Sequence, residues 1–190
     1  MDARARHTRL ALARALIRLA PERGFDALSV EELARAARVG RSTFYGHYAG
    51  KSDLLDRGLA DMLRAMNRDA WAKGERALLP VRPLFTHIAA VPDFAAELVR
   101  TGAFDAMLAR AEEVLRAIAE ENLARPEMFV GPERRRQSAV MLSGAFTALL
   151  RWWLHGGRRS TPEAMQQWFD RFAGAMVAGG ASPGPARHDA

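Results

Sequence analysis

Residues 28–55, LSVEELARAARVGRSTFYGHYAGKSDLL, predict two short helices joined by a tight turn and followed by the start of a third helix. Ser29 and Glu32 have the spacing of a capping box, in which the hydroxyl accepts a backbone N–H and the carboxylate reaches back to the cap. Leu33, Ala34 and Ala37 then form an apolar face at helical spacing. The stretch has the pattern of a helix-turn-helix unit.

The second helix of this unit carries a high density of hydrogen-bond donors. Phe44 anchors it to the core, and its outward set is Arg41, Ser42, Thr43, Tyr45, His47 and Tyr48. A donor-rich helix held across another by a short turn has the geometry that enters a DNA major groove. We expect Arg41 to contact a base, with guanine favoured by bidentate donation.

The same residues resemble the N-terminal domain of TetR-type (tetracycline-repressor-like) transcriptional regulators, whose pattern runs roughly L-A-x-x-A-G-V-S-x-x-x-F-Y-x-H-F-x-x-K-x-x-L. The match is made at Leu33, Ala34, Ala37, Val39, Phe44, Tyr45, His47, Tyr48, Lys51 and Leu54, and residues 5–60 agree in detail. The resemblance implies an all-α fold, with an N-terminal three-helix helix-turn-helix domain followed by a helical ligand-binding and dimerisation domain.

The resemblance also implies roles for single residues. Thr43, Tyr45 and Lys51 would hold DNA phosphates, while His47 either packs or reaches a phosphate. The full set of predicted DNA-contacting residues is Ser29, Arg41, Ser42, Thr43, Tyr45, His47, Tyr48 and Lys51. Two positions depart from the family pattern, with Arg38 where glycine is usual and Gly40 where serine is usual. A non-glycine residue in a left-handed turn costs about 1 kcal/mol.

Composition restricts the class of protein. The chain has 190 residues, 49% of them hydrophobic, and no cysteine, which excludes disulfides and thiolate chemistry. Its net charge is +6, and the basic excess in the first fifty residues favours a polyanionic partner. With no long uncharged apolar run and no secretory signal pattern, a cytoplasmic protein without membrane association is expected.

The rest of the chain reads as helices separated by proline and glycine. We predict a helix-turn-helix domain over residues 1–50, a helical regulatory and dimerisation domain over 51–178, and a disordered tail over 179–190. Pro21 is expected to end or kink the first helix, and Leu79–Pro83 is expected to be a linker before a helix beginning near Leu84. The predicted long helix from about residue 51 to 72 would join the DNA-reading head to the body.

Two C-terminal helices predict a homodimer. From Ala139 to Leu154 the only polar residues are Ser143, Thr147 and Arg151, so this helix must be buried on more than one side. A Thr-Pro-Glu sequence at 161–163 starts a last helix with an apolar side. Two such helices from each subunit would form a four-helix interface. The predicted interface residues are Met141, Ala145, Leu149, Trp153, Trp168 and Phe172.

A ligand pocket in the body is implied mainly by the resemblance. Methionine and aromatic residues at helical spacing are more often ordinary core, and that alternative stays open for each residue. The candidate lining residues are Met62, Met66, Phe85, His87, Phe94, Phe104, Met107, Phe146 and Trp152. Either His87 or Arg100 would supply a polar contact.

These observations favour a regulator over an enzyme. The histidines lack metal-ligand spacing, no nucleophile or phosphate-loop motif is present, and no cofactor is expected. The function that fits is a homodimeric repressor released from a palindromic double-stranded operator by an unidentified small-molecule effector. One alternative is a regulator that senses no ligand. Another is a helical ligand-binding or protein-interaction module whose sequence-specific DNA binding is weak or lost.

Overall fold

The protein was analysed as a computed structural model that describes residues 3–126, 131–156 and 160–179. Within these ranges the chain forms nine α-helices and no strand, which confirms the predicted all-α class. The helices are α1 (Ala3–Arg23), α2 (Val30–Ala36), α3 (Arg41–His47), α4 (Lys51–Ala72), α5 (Val81–Ala89), α6 (Pro92–Arg100), α7 (Ala103–Leu123), α8 (Pro132–His155) and α9 (Pro162–Gly179). In this part of the chain no helix has the length and apolarity to cross a membrane.

The helices are distributed over two compact units. The first contains the described residues of Met1–Met66 and Thr86–Val114, and the second those of Asn67–Phe85 and Leu115–Ala190. The first unit therefore holds α1, α2, α3 and α6, with the larger part of α4. The second holds α8 and α9. Its interior is aromatic, with the Phe85 ring 4.8 Å from the Trp153 ring and 6.1 Å from the Phe146 ring.

The first helix does not end at Pro21. Proline loses its own N–H bond and crowds the carbonyl four residues before it, yet α1 continues for two more residues and ends at Arg23. Gly24 then takes a left-handed conformation (φ 82°), and its N–H donates to the carbonyl of Ala20 at 2.9 Å. The glycine, rather than the proline, determines where this helix stops.

The predicted linker at Leu79–Pro83 is also wrong in part. Helix α5 begins at Val81, so Pro83 lies in its first turn, where a missing N–H costs no helical hydrogen bond. The other boundaries agree with the sequence. Helices α4 and α9 begin within two residues of the predicted positions, and the Thr161 hydroxyl caps α9 by accepting the N–H of Ala164 at 3.2 Å. Most of the predicted tail lies outside the described residues.

The two adjacent indoles of α8 lie opposite to their predicted positions. Trp153, predicted for the dimer interface, is 2% exposed, and its Nε1 donates to the Ser160 carbonyl at 2.9 Å. Trp152, predicted for the pocket, is 58% exposed. The polar residues Ser143 and Thr147 lie on the buried side, where their hydroxyls donate to carbonyls of their own helix. Hydrogen bonding within the helix makes these hydroxyls compatible with burial, so Ser143 and Thr147 share the inner face with Trp153.

Candidate nucleic-acid interface

Helix α2 is fixed by the predicted capping box. The Ser29 hydroxyl accepts the N–H of Glu32 at 3.2 Å, and the Ser29 N–H donates to a Glu32 carboxylate oxygen at 2.9 Å. The bond from the Ser29 N–H, aided by the Ser29 hydroxyl, lowers the pKa of Glu32. The predicted capping box is confirmed. The Ser29 side chain therefore has a structural role in addition to its predicted DNA contact.

The turn between α2 and α3 is a Schellman motif built on an arginine. The N–H of Val39 donates to the Ala34 carbonyl at 2.9 Å and that of Arg38 to the Arg35 carbonyl at 3.1 Å. This pattern requires a left-handed residue, and Arg38 takes that conformation (φ 56°). Gly40 has φ −70° and ψ 151°, values that any residue adopts. The usual turn geometry is therefore kept, and its strain is concentrated at Arg38.

Helix α3 presents polar side chains on a single buried anchor. Phe44 is fully buried, while Arg41, Ser42 and Thr43 are exposed. Tyr45 is also exposed, and the Arg41 guanidinium lies 5.7 Å from its ring centroid. His47 is half-buried beside Tyr48. Four of the predicted DNA-contacting side chains are therefore exposed on α3.

Tyr48 does not belong to that exposed set. It is 3% exposed, its ring is 5.8 Å from that of Phe44, and burial raises the pKa of its hydroxyl. The residue follows the last residue of α3 and has extended backbone (φ −140°, ψ 140°). Because Tyr48 lies outside α3, its side chain is not part of the exposed helical face that carries Thr43 and Tyr45. Tyr48 is core, and the prediction of an outward DNA contact is corrected.

Lys51 ties the start of α4 to the loop between α1 and α2. Its Nζ donates to the Phe25 carbonyl at 2.8 Å and the Asp26 carbonyl at 2.6 Å, and it lies 5.2 Å from the Phe25 ring centroid. An ammonium group has three donors, so one remains for a phosphate. A structural role for Lys51 is therefore added to the predicted DNA contact.

Lys51→Met should lower the free energy of unfolding of the first unit by about 1.5–3 kcal/mol, because hydrogen bonds to a charged donor are lost while the apolar stem is kept. Denaturant titration followed by circular dichroism measures this. Arg64→Met, at an exposed residue of α4, is the matched control and should be neutral. A Lys51→Met protein as stable as the control would show that the two carbonyl bonds add nothing.

Glu97 of α6 holds the same loop and was missed from the sequence. It is 7% exposed, its Oε1 accepts the N–H of Phe25 at 3.1 Å, and Arg100 donates to both carboxylate oxygens. The bonds from Arg100, and then from Phe25, lower the pKa of Glu97. An acid on the apolar side of a short helix, three residues before an arginine, was the available signal. Arg100, a predicted polar contact for a ligand, is occupied by this pair.

Most of the predicted dimer residues are accessible on α8 and α9 of the second unit. Met141 is 55% exposed, Trp168 is 64% exposed, and Phe172 is also exposed. Ala145 and Leu149 are half-buried on the same stripe of α8 as Met141 and Trp152. We call Met141, Ala145, Leu149, Trp152, Trp168 and Phe172 the α8–α9 face. Only Trp153 of the predicted set lies elsewhere.

The predicted pocket residues fall in both units. Phe85 and Phe146 pack edge to face in the core of the second unit, and Trp152 is on the α8–α9 face. The first unit holds the other six: Met62, Met66, His87, Phe94, Phe104 and Met107. Of these Phe104 is buried and the others are half-buried. Burial lowers the pKa of His87, so its imidazole is neutral near pH 7.

Comparison with known proteins agrees with the local geometry. Residues 12–57 match the family model described as "Bacterial regulatory proteins, tetR family". The matched segment runs from α1 through the helix-turn-helix into α4, which confirms the resemblance predicted from the sequence. No curated protein matches the chain in sequence.

Solved structures share the fold over nearly the whole chain. A TetR transcriptional regulator from Rhodococcus sp. RHA1 is 17% identical with a TM-score of 0.63, covering 90% of this chain and 96% of that one. NalD of Pseudomonas aeruginosa, the secondary repressor of the MexAB-OprM efflux pump, is 19% identical with a TM-score of 0.55, covering 90% and 96%. Thermus thermophilus FadR, a TetR-family repressor in complex with lauroyl-CoA, is 20% identical with a TM-score of 0.53, covering 96% and 99%.

Proposed function

We propose that this chain, whose residues 12–57 form a TetR-family helix-turn-helix domain, is a homodimeric repressor that leaves a palindromic operator when a small molecule binds. The two heads of a dimer would enter successive major grooves, about 34–36 Å apart. Ligand and DNA would favour different conformations, so each would weaken binding of the other by the same factor.

The exposed side of α3 is the observation that carries the proposal. Phe44 fixes this helix, and Arg41, Ser42 and Thr43 are free to reach base edges and phosphates in a major groove. Tyr45 lies beside them and packs edge to face on Phe44, with ring centroids 5.5 Å apart. If α3 served only to pack Phe44 into the core, a helix of seven residues would not need four exposed polar side chains.

Selection from a random DNA pool tests DNA reading directly. The full chain would be incubated with the pool at physiological salt, and bound fragments sequenced. The proposal expects an enriched sequence with two matched half-sites, because each subunit carries one α3. Salt-sensitive bulk binding without enrichment is the contrary result. It would favour the alternative of a helical ligand-binding or protein-interaction module.

Arg41→Ala should weaken binding to the selected site by about 1–3 kcal/mol and relax preference at one base position of each half-site. The reason is that a bidentate arginine contact discriminates one base pair from the others. Competition binding to a panel of single-base variants measures both effects. Arg64→Ala, at an exposed residue of α4, is the control for lost charge. Equal losses on the selected site and on random DNA would assign Arg41 to phosphate neutralisation.

The dimer is proposed from the α8–α9 face. Monomeric proteins seldom expose a contiguous group of large apolar side chains, and two tryptophans and a methionine here are each more than half exposed. A second copy is the occupant that fits, because the same face on both subunits forms a closed two-fold contact and leaves no exposed remainder. Aromatic residues and methionine are also the types enriched in such interfaces.

An effector with an apolar chain beside a polar group fits the side chains available in the first unit. Met62, Met66, Phe94 and Met107 are half-buried thioethers and rings, and His87 is a neutral donor and acceptor. Two FadR neighbours hold lauroyl-CoA and stearoyl-CoA, which makes acyl-CoAs the first probes. Lauroyl-CoA at about 100 times its dissociation constant should stabilise the protein by about 2.7 kcal/mol and weaken operator binding, with coenzyme A as control. A panel of effectors that changes neither quantity would favour a regulator that senses no ligand.

A further inference from the structure

The first unit also has a groove on its surface. It is formed by one face of α1 and by the C-terminal end of α2 with the turn that follows, and its volume is about 390 Å³. Its floor is made of small apolar residues such as Ala11 and Ala37, and its sides carry Arg14, Arg18 and Arg38. Within the described chain no aspartate or glutamate lines it. We call this surface the α1 groove.

The cations of the α1 groove have no acidic partner in the described chain. Arg14, Arg18, Arg38 and His7 are all exposed, and none of their side chains makes a hydrogen bond or ion pair with a described residue. Five other arginines of this unit are paired with acids: Arg9 with Asp61, Arg35 with Glu31, Arg57 with Asp53, Arg100 with Glu97 and Arg110 with Asp56. Arg6, Arg23, Arg41 and Arg64 of this unit also make no ion pair with a described residue. What sets Arg14, Arg18 and Arg38 apart is that they share one groove that no acid of the described ranges lines.

The turn residue links this surface to α3. Arg38 lines the groove and lies three positions before Arg41, the first residue of α3. It also holds the left-handed conformation that glycine would adopt without strain, at a cost of about 1 kcal/mol. Strained residues are retained where the side chain has a function. Arg38 is exposed and its side chain has no partner among the described residues, so its charge is available to a ligand of the groove.

We propose that the α1 groove binds phosphates of the DNA strand that flanks the half-site read by α3, and so lengthens the footprint of each head. This rests on the proposed function. The row from His7 to Arg18 spans eleven helical steps of about 1.5 Å each, about 16 Å in all. A duplex strand carries one phosphate for every 3.4 Å or so of helix axis, which matches a row of cations better than one compact anion would.

The experiment compares two lengths of the duplex recovered by selection. One ends at the outermost enriched base pair, and the other is extended on each side by one helical turn, about 10 base pairs. Affinities of the full chain are measured over a salt series. Arg14→Gln/Arg18→Gln should lower the slope of log affinity against log salt by about two per protomer on the extended duplex. On the trimmed duplex it should equal the wild type.

Three further variants separate the effect of charge in the groove from the effects of bulk charge and of folding. Arg64→Gln/Arg68→Gln removes two exposed charges from α4 and should leave both duplexes unaffected. Arg38→Gly should raise the melting temperature, because the left-handed strain is relieved, and still weaken binding to the extended duplex. Arg38→Lys should restore that binding. A purely structural role for Arg38 would move stability and affinity in the same direction.

The contrary outcomes are distinct from failure of the proposed function. Specific binding by the wild type with equal slopes for the groove variants would overturn the groove alone. So would an equal loss on both duplexes, or stabilisation by inorganic phosphate that the groove variants abolish without any change on DNA. If selection enriches no site, the proposed function fails, and the same salt series on a random duplex of about three helical turns still decides whether the groove holds DNA phosphates.

Discussion

Ala145→Arg is expected to convert the proposed dimer into monomers. Ala145 lies on the stripe of the α8–α9 face, between Met141 and Trp152. In a two-fold contact the substitution places one uncompensated guanidinium from each subunit in the apolar interface. Burial of an unpaired charge costs several kcal/mol. Each large apolar side chain that returns to water forfeits a further 1.5–3 kcal/mol.

Sedimentation velocity at micromolar protein measures the change in mass, and circular dichroism verifies that the helices remain. Ala109→Arg makes the same substitution at an exposed residue of α7 in the other unit, and should remain dimeric. Binding to the full palindrome should fall by about 10²–10⁴-fold, because two linked heads benefit from a high effective concentration. Binding to a single half-site should be unchanged. A folded Ala145→Arg dimer of wild-type mass would place the interface on another surface.

The sequence determined local features of the DNA-reading head because their signals are local. A serine three residues before a glutamate specifies a capping box. In α2 the Ser29 hydroxyl accepts the N–H of Glu32, and the Glu32 carboxylate accepts the N–H of Ser29. The start of α9 follows equally from a threonine cap and a proline at the first helical position. Neither feature depends on what the helix packs against. Propensity and hydrogen-bond geometry decide them within four residues.

The orientation of α8 could not be obtained in this way. Its sequence is apolar almost all round, so hydrophobic periodicity does not distinguish the side that meets the core. The interior of the second unit selects Trp153, whose indole packs 4.8 Å from Phe85, and leaves Trp152 outside. The choice between neighbouring residues about 100° apart is made by tertiary packing. The same holds for Glu97 and Lys51, whose partners lie 72 and 26 positions away in the chain.

Phe44→Ala is expected to have the largest effect on the head itself. Phe44 is completely buried and is the only buried residue of α3, which has seven residues. Isolated helices of this length are unstable in water, so α3 persists because Phe44 is packed. Truncation of a buried phenylalanine costs about 3–5 kcal/mol. The loss should appear as local opening of α3 and as loss of specific DNA binding.

Tyr45→Ala is the matched control, because it removes a ring of similar size from the adjacent, exposed position. Amide hydrogen exchange over residues 41–48 should accelerate by about 100-fold or more in Phe44→Ala, since each 1.4 kcal/mol is a factor of ten. In Tyr45→Ala exchange should stay near the wild-type rate while DNA affinity falls through a lost phosphate contact. The two variants therefore separate the folding of α3 from its contact with DNA. Wild-type exchange and affinity in Phe44→Ala would mean that the helix is held by contacts other than its single buried ring.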